Sequence, residues 1–444
     1  MKRARGRASA PPAMTTQIPP SPTLEQTLLA AGDRHGLVAL DLGARWTLVT
    51  WATGSARVTG PDWARSARAL LRPDAPPPPR APGPRLPFTG GLVGWLSYEA
   101  GASVERMPAP RGPAPVAPIG LWRADGGLYL DRRAGAWRVA GAPEFQEQAR
   151  ALLAAAADTP PSPAATRADE GWVGAPREAT REAYEAGVRA VLEHIRAGDA
   201  YQVNLAWEQR GVPVADPLRV WLRLREANPA RRGAFLRWRD TTLISNSPEL
   251  YLRVRRRGDR LVATSAPIKG TSDARQGEAS RAQLEASEKE RAELTMIVDL
   301  VRNDLSRVAA RAGVRAGPRQ ILRCGDLWHA EQRVTAVLRR DSDALDAIAA
   351  SFPPGSVTGA PKVEAMKIIG ALEPGPRGVY TGAIGFLADS GEAHLNVAIR
   401  TATVVGGEAR FHVGAGLVAD SKPELEWAET LAKGRALMRW LTAD

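Results

Sequence analysis

Two pairs of glutamates stand three residues apart: Glu290 and Glu293 in EKERAELTMIVDLVRNDL, and Glu426 and Glu429 in ELEWAETLAKGRALMRWL. Residues three apart on a helix share a face. Two such helices could present four carboxylates to one point. Mg2+ takes oxygen ligands, usually one or two carboxylates completed by water and substrate oxygens. Taken alone, either pair reads more readily as a solvated helix face. A third signal is Ser265–Thr271, SAPIKGT. Lys269 stands there at a strand end between Pro-Ile and Gly, where a desolvated amine can act as nucleophile or base. An ordinary surface lysine is the alternative. GSVTGAPK (355–362) is a glycine-rich loop entering a helix at Pro361, and such a helix start offers backbone N–H groups to an anion. It lacks the Gly-Lys-Ser/Thr ending of a Walker loop. Gly414-Ala415-Gly416 reads as a turn after a strand, with N–H groups free for a carboxylate. Arg400, after Val397-Ala398-Ile399, can grip a carboxylate through two bonds. Together these residues describe Mg2+, several anion donors and one unusual lysine. The ligand they suit is a small polycarboxylate.

The elements that must position them follow from periodicity. Leu294, Ile297, Val298, Val301 and Leu305 form a core-facing stripe on the first glutamate helix. Tyr184, Val188, Val191, Leu192 and Ile195 mark another helix, ended by Gly198. Alternation predicts strands at 201–207, 250–254, 261–266, 383–387, 394–405 and 410–413, with hairpin turns at 389–391 and 406–407. Short apolar runs at 37–40 and 46–51 add strands near the N-terminus, and 87–94 reads as a glycine-rich turn. The fold class is α/β (α+β), with large, mostly antiparallel sheets packed against helices. Residues 1–22 read as a disordered tail, 23–153 as an N-terminal region, 154–178 as a linker rich in Ala, Pro and Thr, and 179–444 as the catalytic region.

Composition narrows the class. The chain has 444 residues, a net charge of +12 and one cysteine, Cys324. A lone cysteine allows no internal disulfide and no cysteine-based zinc site, which fits a reducing cytoplasm. No apolar run approaches the roughly 18 residues of a membrane span. The charge alone admits a nucleic-acid reading. Yet only seven of the 60 basic residues are lysine, and the arginines are scattered. A solvated basic surface is the expectation, and each remaining lysine carries more information.

The segments resemble the chorismate-utilising enzymes: anthranilate synthase component I, aminodeoxychorismate synthase component I, and the isochorismate and salicylate synthases. The motifs are AYQVNLA (200–206), SNSPE (245–249), PIKGT (267–271), AELTMIVDLVRND (292–304), GSVTGAPKVEAM (355–366), VYTGAIGF (379–386), AIRTA (398–402) and GAGLVADSKPELEWAET (414–430). They run in order, and PFTGGLVGWLSYE (87–99) resembles the family's N-terminal motif.

The resemblance implies Mg2+ bound by Glu293 and Glu429 and supported by Glu290 and Glu426. It implies a ring carboxylate shared by Gly414, Ala415 and Gly416. The enolpyruvyl carboxylate would be held by Arg400 and Tyr380, with Thr358 and Gly359 as wall. Thr271 belongs to the substrate side of PIKGT. His329 would lie near the departing hydroxyl, and Glu249 would be the general acid/base. Gln202 stands where the isochorismate branch carries a water-activating lysine, so ammonia is the expected nucleophile. Lys269 stands where anthranilate synthases resembling this chain carry alanine and aminodeoxychorismate synthases carry lysine. The expected activity is therefore the folate-branch one, amination of chorismate to 4-amino-4-deoxychorismate, the precursor of p-aminobenzoate. Anthranilate synthase component I is the alternative, and a basic nucleic-acid-binding protein a remote one. Cys324 has no glutaminase context, so a separate glutaminase subunit is the expected ammonia source. No fused lyase is expected, and the expected product is aminodeoxychorismate itself. No nucleic-acid or membrane partner is expected. Two departures stand out. His329 is followed by Ala-Glu-Gln rather than Leu-Val-Ser, and Asn228–Arg232 (NPARR) replaces the Asn-Pro-(Ser/Ala)-Pro turn that helps anthranilate synthases bind tryptophan as feedback inhibitor.

Overall fold

The computed structural model describes residues 21–73, 84–108, 111–160 and 180–441. Residues 1–20 of the expected tail and 161–178 of the expected linker lie outside the described residues. Residues 154–157, expected as linker, instead finish the helix Pro143–Ala157. Their alanines are the strongest helix formers and prolong it.

Two large antiparallel sheets make the frame. The first runs Gly359–Ala360, Gln202–Pro213, Glu408–Leu417, Thr401–Val405, Thr241–Ser245, Ala234–Trp238, Leu37–Leu42, Trp46–Thr50, Gly126–Asp131, Ala136–Gly141. The second runs Ile268–Asp273, Leu327–Leu338, Arg260–Ala266, Leu250–Arg257, Ala393–Val397, Ala383–Ala388, Gly91–Leu96, Ile119–Ala124, Arg57–Val58, and Ala309–Cys324 also pairs with Leu327–Leu338. This is the mixed, antiparallel-rich class that the strand patterns imply. Each sheet joins a block of strands from the N-terminal part of the chain to a block from the C-terminal part.

Three apolar cores hold the layers. One lies under the helices Leu24–Ala31, Pro143–Ala157, Arg181–Ala197, Pro217–Ala227, Lys362–Leu372 and Pro423–Leu441. A second lies under Trp63–Leu70, Glu288–Ser306 and Ala344–Ser351. The third draws Val38, Leu40, Ala234 and Leu236 from the first sheet and Val93, Trp95, Ile384 and Phe386 from the second, so it sits between them. The stripe Leu294, Ile297, Val298, Val301, Leu305 is buried as its spacing requires. The helix Arg181–Ala197 ends at Gly198 in the left-handed region, φ +86°.

Three local expectations need correction. Residues 394–405 are two strands, Ala393–Val397 in the second sheet and Thr401–Val405 in the first. The apolar pattern continues through 398–400, but the chain there changes sheets, with Arg400 at φ +51°. Gly414-Ala415-Gly416 is not a turn. It lies inside the strand Glu408–Leu417, paired with Ala206, Leu205 and Asn204. Glycines usually mark turns, but here they leave a strand face without side chains. Lastly, 87–94 is only partly a turn, since the strand Gly91–Leu96 begins within it.

Candidate active site

Two sheet-to-sheet crossovers run side by side. Asn246–Glu249 leads from Thr241–Ser245 to Leu250–Arg257, and Ala398–Arg400 leads back from the second sheet to the first. Asn246 N donates to the Arg400 carbonyl at 3.0 Å, and Val397 N to the Glu249 carbonyl at 3.1 Å. This pairing places Glu249 and Arg400 in one neighbourhood from positions 151 residues apart in the numbering of the chain.

Lys269 arrives on the strand Ile268–Asp273, where pairing with Leu327–Leu338 slips between Lys269 and Thr271. Gly270 occupies the slip at φ +74°. Lys269 is close to Gln202 and Gly416. A Cβ built on Gly416 would lie 2.7 Å from Gln202 Nε2 and 3.0 Å from Lys269 Nζ. The glycine therefore makes room for both groups. Gln202 is completely buried, and neither its Oε1 nor its Nε2 meets a partner among the described residues. An amide so placed is a group waiting for a ligand or water. Desolvation pulls the Lys269 amine below the usual lysine value; Glu293 opposes it, Lys433 adds to it, and Glu249 and Glu290 oppose it more weakly.

Glu249 is buried, and burial lifts its carboxyl to about 7 against the pull of Ser356 and Lys269. Ser356 Oγ donates to Glu249 Oε1 at 2.5 Å. A carboxyl poised there can give or take a proton at neutral pH. A cavity behind it, of about 10 Å³, is lined by Tyr251, Asp304, Ser351 and Ser356 among others. That volume suits one water and not a substrate.

Thr271, His329 and Arg400 form a chain. Arg400 Nη2 is 3.4 Å from His329 Nε2, and His329 Nδ1 is 3.2 Å from Thr271 Oγ1 and 3.4 Å from the Gly270 carbonyl. Guanidinium only donates, so Nε2 accepts and the hydrogen sits on Nδ1. Burial, reinforced by Arg400, drives the imidazole down to about 3. His329 is thus neutral across the physiological range and holds Arg400 in place.

On the far side, Tyr380 is buried and stacks on His412 at 5.3 Å between ring centroids. A Cβ on Gly414 would lie 2.9 Å from Tyr380 Oη. Thr358 is completely buried, and its carbonyl accepts from Asn204 N at 2.8 Å. Gly359 pairs with Val203 at φ +148°, and a Cβ there would lie 2.1 Å from the Gln202 carbonyl oxygen. Only glycine allows that approach. Ala415 faces the opposite side of its strand from the two glycines and is buried in the core beneath the helices.

Charged groups of the two glutamate helices act on one another electrostatically. Glu293 is raised by desolvation first, with Lys269 opposing and Glu290 and Glu429 adding. Glu426 is raised by desolvation, relieved by a 2.7 Å hydrogen bond from Ser421 Oγ, with Glu429 again adding. Lys433 pairs with Glu429 at 2.7 Å, and Lys289 lies 4.0 Å from Glu293. Among the described residues no three His, Cys, Asp or Glu side chains are drawn together closely enough to hold an ion. The donor chemistry nevertheless fits Mg2+, since all four groups are carboxylates on two helix faces that share an electrostatic neighbourhood.

Several supporting residues escaped the motif reading. Ser356 lies inside a quoted motif, yet nothing local ties it to Glu249. Arg377 and Glu373 form a buried pair at 2.6 Å. Arg377 also donates to the carbonyls of Asn204 and Val357 and lies under the rings of Tyr98 and Tyr380. Lys362 and Asp304 form a second buried pair at 2.7 Å, tying the GAPK loop to the RND helix.

A sequence model of the family described as chorismate binding enzyme matches residues 38–439. The chain is 38% identical over 382 residues to anthranilate synthase component 1 of Haloferax volcanii, covering 79% of this chain and 70% of that protein. It is 34% identical over 364 residues to aminodeoxychorismate synthase component 1 of Escherichia coli, covering 80% and 78%. The crystal structure of anthranilate synthase component I from Streptococcus pneumoniae superimposes with a TM-score of 0.75 at 24% identity, covering 89% of this chain and 92% of the other. The fold is that of the chorismate-binding enzymes, and the chain belongs to that family. Within it, the chain is a chorismate-utilising enzyme of the type shared by anthranilate and aminodeoxychorismate synthase component I. Among the described residues no helix is long and apolar enough to cross a membrane.

Proposed function

We propose that the chain is the aminodeoxychorismate synthase component I type, taking chorismate and ammonia to 4-amino-4-deoxychorismate and water on the way to p-aminobenzoate and folate. The observation that carries this reading is Lys269 beside Gln202 and Gly416, its amine shifted toward the neutral, nucleophilic form. In the proposed sequence the Lys269 amine bonds to ring carbon 2. The bond from carbon 4 to its hydroxyl breaks, and Glu249 gives the proton that lets the hydroxyl leave as water. Ammonia then bonds to carbon 4, the lysine–carbon bond breaks, and Lys269 departs as the amine. The ionised Glu249 recovers its proton from the added nitrogen.

Gln202 has no basic lone pair of useful strength, so water gains no general base from it. Its free amide orients the substrate. Arg400, held by His329, and Tyr380 bind the enolpyruvyl carboxylate, with Thr271 positioning the imidazole and Thr358 and Gly359 as wall. Glu293 and Glu429 would hold Mg2+, with Glu290 and Glu426 beside them, and the strand Gly414–Gly416 would lie against the ring carboxylate. When bound, Mg2+ neutralises that carboxylate's charge. The component 1 names of the relatives support a separate glutaminase as ammonia donor, in the cytoplasm. Anthranilate formation is the second reading, because a relative at 38% identity carries that name, against 34% for the aminodeoxychorismate synthase component 1 relative. The test is purified chain with chorismate, Mg2+ and an ammonium salt, products separated by chromatography. Aminodeoxychorismate is the expected main product; anthranilate in its place overturns the proposal.

A further inference from the structure

At one margin of the core between the sheets the apolar packing stops. Arg253 and His394 are directly opposite each other on neighbouring strands of the second sheet, and His394 is opposite Phe386 on the next. Cross-strand partners share a face. Phe386 belongs to the core between the sheets and stacks with His394 at 6.1 Å between centroids, so all three side chains are on the inward face. Arg232 enters from the first sheet's side, just before Ala234–Trp238, and its carbonyl accepts from Asn396 Nδ2 at 2.8 Å.

Arg232 Nε, Arg253 Nε and His394 Nε2 are all buried, and none has a hydrogen-bond partner among the described residues. Arg232 is 9% exposed and His394 7%. Among the described residues Arg232 Nη1 donates only to the neighbouring Arg231 carbonyl, at 3.0 Å. The carboxylate acting on Arg232 is Glu331, which already pairs with Arg333 at 3.0 Å. The strongest electrostatic neighbours of Arg253 are all arginines: Arg255, Arg232, Arg333 and Arg257. Arg232 thus shares its one carboxylate with Arg333, and no carboxylate is among the strongest neighbours of Arg253. Burial, with these like charges adding, holds Arg253 down to about 10, and it keeps His394 neutral. Water can satisfy an N–H, but it does not balance a buried charge.

We propose that Arg232, Arg253 and His394 form a binding site for one small anion, a halide or an oxyanion, lodged between the two sheets. The two guanidinium Nε–H groups donate to it, and neutral His394 donates from Nε2. The site stands apart from the chorismate-binding residues and does not depend on which amination the enzyme performs.

The test is thermal unfolding of the full chain in a buffer whose only anion is a bulky organic sulfonate. Chloride, sulfate and phosphate are added separately at constant ionic strength. At least one is expected to raise Tm saturably, by about 2–4 °C at high occupancy. A response to chloride alone identifies a halide site, and one to sulfate or phosphate an oxyanion site. Arg253→Met should abolish the response. In the sulfonate buffer its Tm should equal or exceed the wild type's, because an unbalanced buried charge has been removed. His394→Phe keeps the ring stack and should weaken the apparent anion affinity about tenfold, which tests the site should the first variant fold poorly. No response to any of the three anions overturns the proposal, as does an equal response in wild type and Arg253→Met.

Discussion

Glu249→Gln offers a test in which the sign is as informative as the size. In the unfolded chain this carboxyl titrates at about 4.5, and in the folded protein burial holds it at about 7. Between those values the folded state binds the extra proton. Stability therefore falls as pH rises through this window. The full penalty above pH 8 is about 3 kcal/mol, from about 1.4 kcal/mol per pH unit. At pH 5.5 only about 1.4 kcal/mol of it has developed, so the wild type should lose about 2 kcal/mol more between pH 5.5 and 8.5 than a variant that cannot ionise. Glutamine keeps the shape and can still accept from Ser356 Oγ. The assay is urea unfolding of both proteins at the two pH values. Glu249→Gln should gain about 2 kcal/mol on the wild type over that interval. An unchanged difference, or a wild type that gains on the variant, means the carboxyl ionises normally, and the general-acid assignment goes with it.

The other expectations concern the site more directly. Lys269→Ala should sharply lower chorismate amination while wild type incubated without ammonia yields a lysine adduct by mass spectrometry; an undiminished rate in the variant removes the nucleophile. Glu429→Gln should shift the Mg2+ titration of activity to higher concentration, and an unaltered curve counts against the metal assignment. Gly416→Ala should leave stability within about 1 kcal/mol, because its neighbours Gln202 Nε2 and Lys269 Nζ are ends of side chains, yet lower kcat/KM at least about tenfold. Gly359→Ala should do the reverse and destabilise by about 2–4 kcal/mol in denaturant melts, because its added Cβ meets the Gln202 backbone carbonyl.

The parts of this molecule that were legible in the sequence are those with local period. The glutamate helices, their apolar stripe and the helix stop at Gly198 follow from spacing alone. Lys269 stood out because lysine is rare in this chain. What stayed hidden depends on partners far along the chain. Gly414–Gly416 reads as a turn until Asn204–Ala206 is laid beside it. The alternation through 398–400 looks like one strand because a change of sheet leaves no mark in hydrophobicity. Ser356 and the Arg377–Glu373 pair have meaning only once the crossovers are set. The place of His329 near the departing hydroxyl follows from resemblance alone, while its burial and its 3.4 Å contact with Arg400 appear only in the fold.

The joining of early and late strands in each sheet has a consequence for how the protein is made. Leu37–Leu42 waits for Ala234–Trp238, and Gly91–Leu96 cannot be flanked on both sides until Ala383–Ala388 has left the ribosome. Nearly the whole chain must be synthesised before either sheet closes. Until then, long apolar strands with unpaired edges are exposed. Pairings of such sequence separation also make for slow folding. The nascent enzyme is therefore a natural client for chaperones, and its yield in a foreign host should follow translation speed and temperature more than the stability of the finished fold.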